Sequence, residues 1–173
     1  MALADAERRA TQTLLWVTPQ DWLLDIALDH LTLARVALYR AALASQPPAA
    51  AANPHLAPAL DGLRKAGTLD HLPKALLTAA HWHALLGDAA TARRHLDEAQ
   101  QIAERGPMPL FLADVHLHRA RLVGIANAES RTTNWPGIDP KAELAKAKTL
   151  IEQHGYGRRY AELADAQAAA VNW

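Results

Sequence analysis

The sequence predicts an all-α protein in which antiparallel helix-turn-helix repeats stack as an α-solenoid of about seven or eight helices. Its composition is one reason: half of the 173 residues are hydrophobic, and there is one Phe. Ala and Leu are strong helix formers, whereas strands favour the β-branched and aromatic residues that are scarce here. The second reason is an internal repeat of Leu, two residues, Ala and a later Gly, which begins at Leu56, Leu96 and Leu144. Such repeats are typical of solenoids, in which each unit buries the apolar stripe of the next.

The first part of the chain predicts three helices. Residues 2–15 form the first, and residues 19–44 the second, with Thr18 as its cap and Pro19 at its first position. The Pro- and Ala-rich segment 45–54 predicts a loop. Residues 55–65 then predict a short helix that Gly67 ends. The expected repeat units here are a partial unit at 1–16 and a unit at 19–67.

The remainder predicts five more helices, separated by turns. They are expected at 70–86, from Asp88 to Gly106, at 109–128, from Asp139 to Gly155 and at 158–170. Asp88 and Asp139 stand where a side chain caps a helix start, and the glycines stand where helices end. The expected units are 70–106, 108–155 and a C-terminal helix at 157–173, all within a single domain over residues 1–173.

The middle unit resembles the tetratricopeptide repeat. The matching residues stand at that family's spacing: Ala80, Gly87, Asp88, Ala92, Leu96 and Ala99. Leu76 and His83 hold the places of its Trp and Tyr, so those two positions depart from the pattern. The steps from Ala34 to Ala80 (46 residues) and from Ala80 to Ala120 (40) exceed the family's period, which is about 34. The closer resemblance is therefore to the longer arrays of bacterial signalling proteins. It implies a right-handed superhelix and a scaffold role within a larger protein, but no reaction.

Charge and composition exclude several functional classes. Eighteen acidic and eighteen basic residues leave no net charge, so nothing favours nucleic acid or an anionic membrane as a partner. The absence of cysteine excludes disulfides and thiolate chemistry and fits a cytoplasmic protein. No stretch has the ~18 apolar residues of a membrane span. No phosphate-binding loop or nucleophile elbow is present, so we expect no enzyme activity and no cofactor.

If the units superpose, one helix of each hairpin lines a concave groove. The polar residues predicted to line it are Arg35, His81, Arg121, Thr78 and His118. The apolar residues are Leu31, Leu77 and Leu117, with Tyr39 at one edge. Because guanidinium groups fit carboxylates, such a groove suits an acidic segment or a chain's C-terminal carboxylate. Alternatively, these residues are exposed and idle, or pair with Asp25, Asp29 and Asp114 on adjacent turns.

The histidines give little support to a metal site. His81 and His83, and likewise His116 and His118, are two residues apart, which places them on different helix faces. Helical zinc pairs stand four apart. A metal would need histidines from neighbouring helices, such as His83 with His116, so we expect none and place His83 between helices.

The tryptophans divide into packing and surface residues. We expect Trp22 and Trp82 to pack inside the protein and Trp135 to cover the end of the core, with a binding hook as the alternative for Trp135. Trp16 and Trp173 are expected to mark surfaces that a longer chain or a second copy would cover.

The function predicted from these patterns is that of a protein–protein interaction scaffold in a larger bacterial signalling protein. Its partner would be a protein or peptide held in the groove. One alternative is a helical domain of a regulator that senses a small molecule. The other is a structural array whose uncapped ends make the contacts, including self-association.

Overall fold

The computed structural model describes residues 2–17, 22–44, 53–128 and 135–173. Within these ranges the chain is all-α and confirms the predicted class and helix number. The α-helices are α1 (Ala2–Trp16), α2 (Leu23–Leu43), α3 (Leu56–Ala66), α4 (Leu72–Leu85), α5 (Ala89–Arg105), α6 (Pro109–Ala128), α7 (Pro140–Gln153) and α8 (Tyr160–Ala169). One 3-10 turn, Gly157–Arg159, precedes α8 and another, Ala170–Asn172, follows it. No helix in the described ranges is both long and apolar enough to cross a membrane.

The chain divides into two compact units, Met1–Leu86 and Gly87–Trp173. Unit 1 contains α1 to α4, and unit 2 contains α5 to α8. The division falls at the predicted Gly87-Asp88 turn, inside the predicted 70–106 repeat unit. Four of the residues that carry the family resemblance are fully buried: Ala80 in unit 1, and Ala92, Leu96 and Ala99 in unit 2. The stacking of successive hairpins into a superhelix stays a prediction.

In unit 1, α2 packs against α1, α3 and α4. Arg40 Nη1 and Nη2 each donate to an oxygen of the Glu7 carboxylate at 2.6 Å, which joins the last part of α2 to the first half of α1. The two helices are therefore antiparallel. α2 also approaches α3 closely at Gly62, which has no side chain. A Cβ at this position would lie 2.7 Å from the Ala27 Cβ.

In unit 2, α6 lies at the centre and contacts α5, α7 and α8. Its buried residues include Ala113, Val115, Leu117, Ala120 and Val123, which together cover more than half of the helix circumference. Such a wide buried face is typical of a helix at the centre of a core. The core that it shares with α7 and α8 includes Leu144, Ala147, Ile151, Leu163 and Ala166, with the half-buried Trp173 packed against it.

The helix ends confirm most of the predicted signals. Asp88 Oδ1 accepts a hydrogen bond from the Thr91 amide at 3.0 Å, and Asp139 Oδ1 accepts one from the Lys141 amide at 2.9 Å. Each carboxylate satisfies an amide that the first helical turn leaves without a partner. Gly67 ends α3 at φ 70°, a left-handed conformation that favours glycine.

The predicted start of α2 at residue 19 is wrong. The helix begins at Leu23, and the extended Trp22 is its N-cap. The predicted cap and first position, Thr18 and Pro19, lie outside the described residues, as does most of the predicted 45–54 loop. The prediction rested on Thr18 as the cap and Pro19 at the first position, and such local signals place a helix end to within a few residues only.

Candidate functional sites

Four large apolar side chains are exposed where α1 ends and α2 begins. The exposed fractions are 74% for Leu15, 71% for Trp16, 78% for Trp22 and 40% for Leu23. The antiparallel helices place the last turn of α1 and the first turn of α2 at the same end of the pair. We call these four residues the tryptophan surface. It lies within unit 1.

Helix geometry explains why these side chains remain exposed. The stripe of α1 that meets α2 contains the buried Ala10 and the half-buried Leu3, Ala6 and Leu14. Leu15 and Trp16 follow this stripe but turn away from it, because neighbouring residues on a helix point about 100° apart. Trp22 precedes α2 and has no helical neighbour to pack on. The prediction that Trp22 is a packing residue is therefore wrong.

The first two turns of α2 carry two acidic side chains. Asp25 and Asp29 stand four residues apart on α2 and so share one helix face. Burial raises the pKa of Asp29, and the charge of Asp25 raises it further. The last turn of α1 contains no basic residue to balance the negative end of its helix dipole. Among the described residues, neither aspartate has an ion-pair partner.

The residues predicted to line a groove have varied environments. Arg35 Nε donates to Thr78 Oγ1 at 3.1 Å, and Arg35 Nη2 donates to the Lys74 carbonyl at 3.3 Å. Arg35 thus joins α2 to α4. In unit 2, Arg121 Nη2 pairs with Asp165 Oδ2 at 3.0 Å. Both arginines therefore have partners inside their own unit, but these partners are not the Asp25, Asp29 or Asp114 that the alternative interpretation named.

The predicted apolar lining lies inside the protein. Leu31, Leu77 and Leu117 are 3%, 5% and 1% exposed, and Thr78 is 5% exposed. Of the predicted groove residues, His81 and His118 are half-buried, and Tyr39 is exposed. In this arrangement the three leucines contribute to the cores of their units and offer almost no surface to a peptide.

Unit 2 contains a buried ion cluster that the sequence analysis missed. Glu143 of α7 is at its centre, and its Oε2 accepts from His116 Nδ1 at 2.8 Å and from Arg119 Nη1 at 3.2 Å. Its Oε1 accepts from Lys146 Nζ at 2.7 Å. Arg119 also donates to Asp97 Oδ1 at 2.9 Å and thereby joins α5, α6 and α7.

The charges around Glu143 outweigh the effect of its burial. Burial alone would raise the pKa of this carboxyl. Hydrogen bonds from His116 and Lys146 and the nearby charges of His116 and Arg119 instead lower it to about 2, from an ordinary value of 4.5. Glu143 is therefore ionised at neutral pH although its side chain is only 9% exposed.

A polar cavity of about 290 Å³ lies beside this cluster. Its lining combines positive and negative side chains with the turn before α7: Arg93, Asp97, Gln100, Arg119, Gly137, Ile138, Asp139, Ala142, Glu143 and Lys146. Among the described residues, the buried Arg119 Nε has no hydrogen-bond partner. The cavity is thus suited to a small polar molecule, not to an apolar one.

A second ion cluster ties α8 to α6. Arg159 donates through Nε to Asp114 Oδ1 at 2.7 Å and through Nη2 to Asp114 Oδ2 at 3.1 Å. Tyr156 adds a longer hydrogen bond to the same carboxylate at 3.3 Å. Burial disfavours the Arg159 charge, but the bonds to Asp114 and the Glu162 charge raise its pKa overall. This bidentate ion pair holds the start of α8 against α6. The Asp114 side chain is almost fully buried.

Trp82 and Trp135 pack inside the protein, and His116 takes part in the ion cluster. Trp82 and Trp135 are 6% and 7% exposed, which confirms both as packing residues. Within the described ranges, no group of three or more His, Cys, Asp or Glu residues is arranged to hold a metal ion. His116, one member of the pair considered for a metal, instead bonds to Glu143.

Comparisons with protein-family models, with curated proteins and with solved structures find no significant match to this chain. The resemblance to the tetratricopeptide repeat therefore stays a prediction from the sequence.

Proposed function

We propose that this chain is a protein–protein interaction module and that it holds its partner on the tryptophan surface. The observation that carries the proposal is the exposure of two tryptophans and two leucines at one end of the α1–α2 pair. Tryptophan is enriched among the residues that dominate binding energy in protein interfaces. Large apolar side chains grouped on a surface are typical of interaction sites, whereas single ones are ordinary.

This proposal keeps the predicted class of function but moves the site. A concave groove lined by Leu31, Leu77 and Leu117 would need side chains that are buried here. Arg35 and Thr78 are also bonded to each other. The tryptophan surface needs no rearrangement of either unit to become available. The wider role, as a scaffold within a larger bacterial signalling protein, remains part of the proposal through the repeat resemblance alone.

The test is affinity capture from the source cell, followed by mass spectrometry. The variant Trp16→Ser/Trp22→Ser removes the two tryptophans, and Tyr39→Ser/Leu43→Ser is the matched control. The control removes two large side chains, 52% and 77% exposed, from the other end of α2. It also removes a predicted groove residue. Circular dichroism should show equal helicity in all three proteins.

We expect wild type and the control to capture the same partner and the tryptophan variant to lose it. Loss in the Tyr39→Ser/Leu43→Ser control alone would return the site to the predicted groove. Equal capture by all three proteins would exclude both surfaces as the principal contact.

A second candidate function, binding of a small polar molecule, is favoured by the cavity in unit 2. It is lined by charged side chains of both signs, among them Arg93, Asp97 and Lys146. A ligand that binds the folded state raises the melting temperature. A panel of metabolites should therefore contain a zwitterion that stabilises wild type but not Arg93→Ala, since Arg93 lines the cavity. The variant Trp16→Ser/Trp22→Ser should keep this response.

A further inference from the structure

The negative charge beside the tryptophan surface indicates what kind of partner fits there. Apolar contact alone would accept many partners, whereas charge determines which of them are favoured. Asp25 and Asp29 lie within the first two turns of α2, directly after Trp22 and Leu23. The final carbonyl groups of α1, at the same end of the pair, add the negative end of a helix dipole.

These carboxylates have no cation of their own. In the described part of the chain, neither Asp25 nor Asp29 forms an ion pair. Other acids of unit 1 do: Asp5 pairs with Arg8 at 3.5 Å and Glu7 with Arg40 at 2.6 Å. Partial burial raises the pKa of Asp29, and the like charge of Asp25 raises it further. A cation placed here would relieve that repulsion.

We infer that the tryptophan surface binds a basic amphipathic segment of a partner protein, whose apolar side chains contact Trp16 and Trp22 and whose Lys or Arg side chains pair with Asp25 and Asp29. This inference rests on the proposed function and specifies the partner's chemistry. The exposed indole rings suit such a segment in two ways. They bury against apolar side chains, and their faces attract ammonium and guanidinium groups.

The test uses two blocked peptides that differ in charge but share one apolar pattern. The first repeats Leu-Lys-Lys-Leu-Leu-Lys-Leu twice, and the second has Glu in place of each Lys. Binding of each labelled peptide is measured by fluorescence anisotropy at low and at physiological salt. The proteins are wild type, Asp25→Asn/Asp29→Asn, Trp16→Ser/Trp22→Ser and the control Asp70→Asn/Glu104→Gln, which removes two acids from other exposed sites.

We expect wild type to bind the lysine peptide at least about tenfold more tightly than the glutamate peptide. The variant Asp25→Asn/Asp29→Asn should lose most of this preference, and the control Asp70→Asn/Glu104→Gln should keep it. The preference should also weaken at higher salt, because exposed charges are screened over about 8–10 Å. The tryptophan variant should bind both peptides weakly.

Each contrary result identifies what has failed. If wild type binds both peptides equally and only the tryptophan variant loses this binding, the inference of a basic partner is overturned and the proposed function stands. Equal effects of the two acid variants would show that the preference reflects overall charge and would also overturn it. Unchanged binding by the tryptophan variant would overturn the proposed site itself. Self-association of wild type, abolished by Trp16→Ser/Trp22→Ser and insensitive to the lysine peptide, would replace the partner with a second copy.

Discussion

The two units bury polar groups of different kinds. Among the residues that the structure describes, the buried polar ones are Asn53 and Thr78 in unit 1, both neutral, and Asp114, His116, Arg119 and Glu143 in unit 2. Asn53 donates to the Ala34 carbonyl at 3.0 Å, which is an ordinary hydrogen bond between a loop and a helix. The charges of unit 2 instead join α5, α6, α7 and the turn before α8.

The two units are stabilised by different kinds of interaction. A buried charge is tolerated only where partners surround it, so the ion clusters of unit 2 fix the relative positions of its helices. Unit 1 depends more on close steric fit, as at Gly62 and Ala27. It also exposes the tryptophan surface. Stability in unit 2 should therefore respond to charge and pH, and stability in unit 1 to side-chain volume.

The largest expected effect is in unit 2. Glu143→Ala should lower the free energy of unfolding by about 4 kcal/mol, because it removes the carboxylate that His116, Arg119 and Lys146 share and leaves the buried Arg119 with Asp97 as its acidic partner. Asp165→Ala is the matched control. It removes the pair with Arg121, in which the aspartate is 68% exposed, and should lower stability by less than about 0.5 kcal/mol. Urea unfolding followed by circular dichroism measures both. Similar losses in the two variants would show that the cluster is no stronger than a surface pair.

Acid should act through the same carboxylate. The pKa of Glu143 is about 2 in the folded protein, below its ordinary value of 4.5, so the unfolded chain binds this proton more readily. Its contribution is therefore complete above about pH 5 and is lost as the pH falls toward 2, to a total of about 3 kcal/mol. Asp29 in unit 1 has the opposite sign, because its pKa is raised.

Urea unfolding at several pH values between 3 and 7 measures this loss. Other carboxyls also titrate in this range, so the informative quantity is the difference between wild type and Glu143→Gln. Wild type should lose more stability than the variant as the pH falls from 5 to 3. Parallel curves for the two proteins would contradict the assignment.

Local features of the fold could be predicted because they depend on neighbouring residues. The caps Asp88 and Asp139 and the left-handed Gly67 follow from rules that act within one helical turn. The start of α2 was predicted too early, because Thr18 and Pro19 match the cap and first position of a helix whereas α2 begins at Leu23. Whether the hairpins stack as the repeat resemblance implies is a question of long-range geometry that these local rules do not address.

The ion cluster of unit 2 was missed although the sequence contained a signal for it. His116 and Arg119 lie among apolar residues of α6 such as Val115, Leu117 and Ala120, and a polar side chain that is buried among such residues needs a partner. Their partners could not be identified, because pairing between helices depends on how each helix is rotated. The tryptophan surface was predicted only in part: Trp16 was expected to mark a surface, whereas Trp22 was expected to pack inside the protein, because large apolar residues are usually buried.

The smallest of the three effects tests the steric fit of unit 1. Gly62→Ala should lower the free energy of unfolding by about 2 kcal/mol, because its Cβ would lie 2.7 Å from the Ala27 Cβ and force α2 and α3 apart. Ala27→Gly removes the opposing methyl group but weakens α2 by about 1 kcal/mol. The double variant Gly62→Ala/Ala27→Gly should therefore be more stable than the sum of the single changes predicts, a coupling that a double-mutant cycle measures directly. Additive effects would mean that the helices yield at this contact, and the steric account of unit 1 would then have to be abandoned. A positive coupling that persists at pH 4 would sharpen the contrast with unit 2, because packing, unlike the Glu143 cluster, does not titrate.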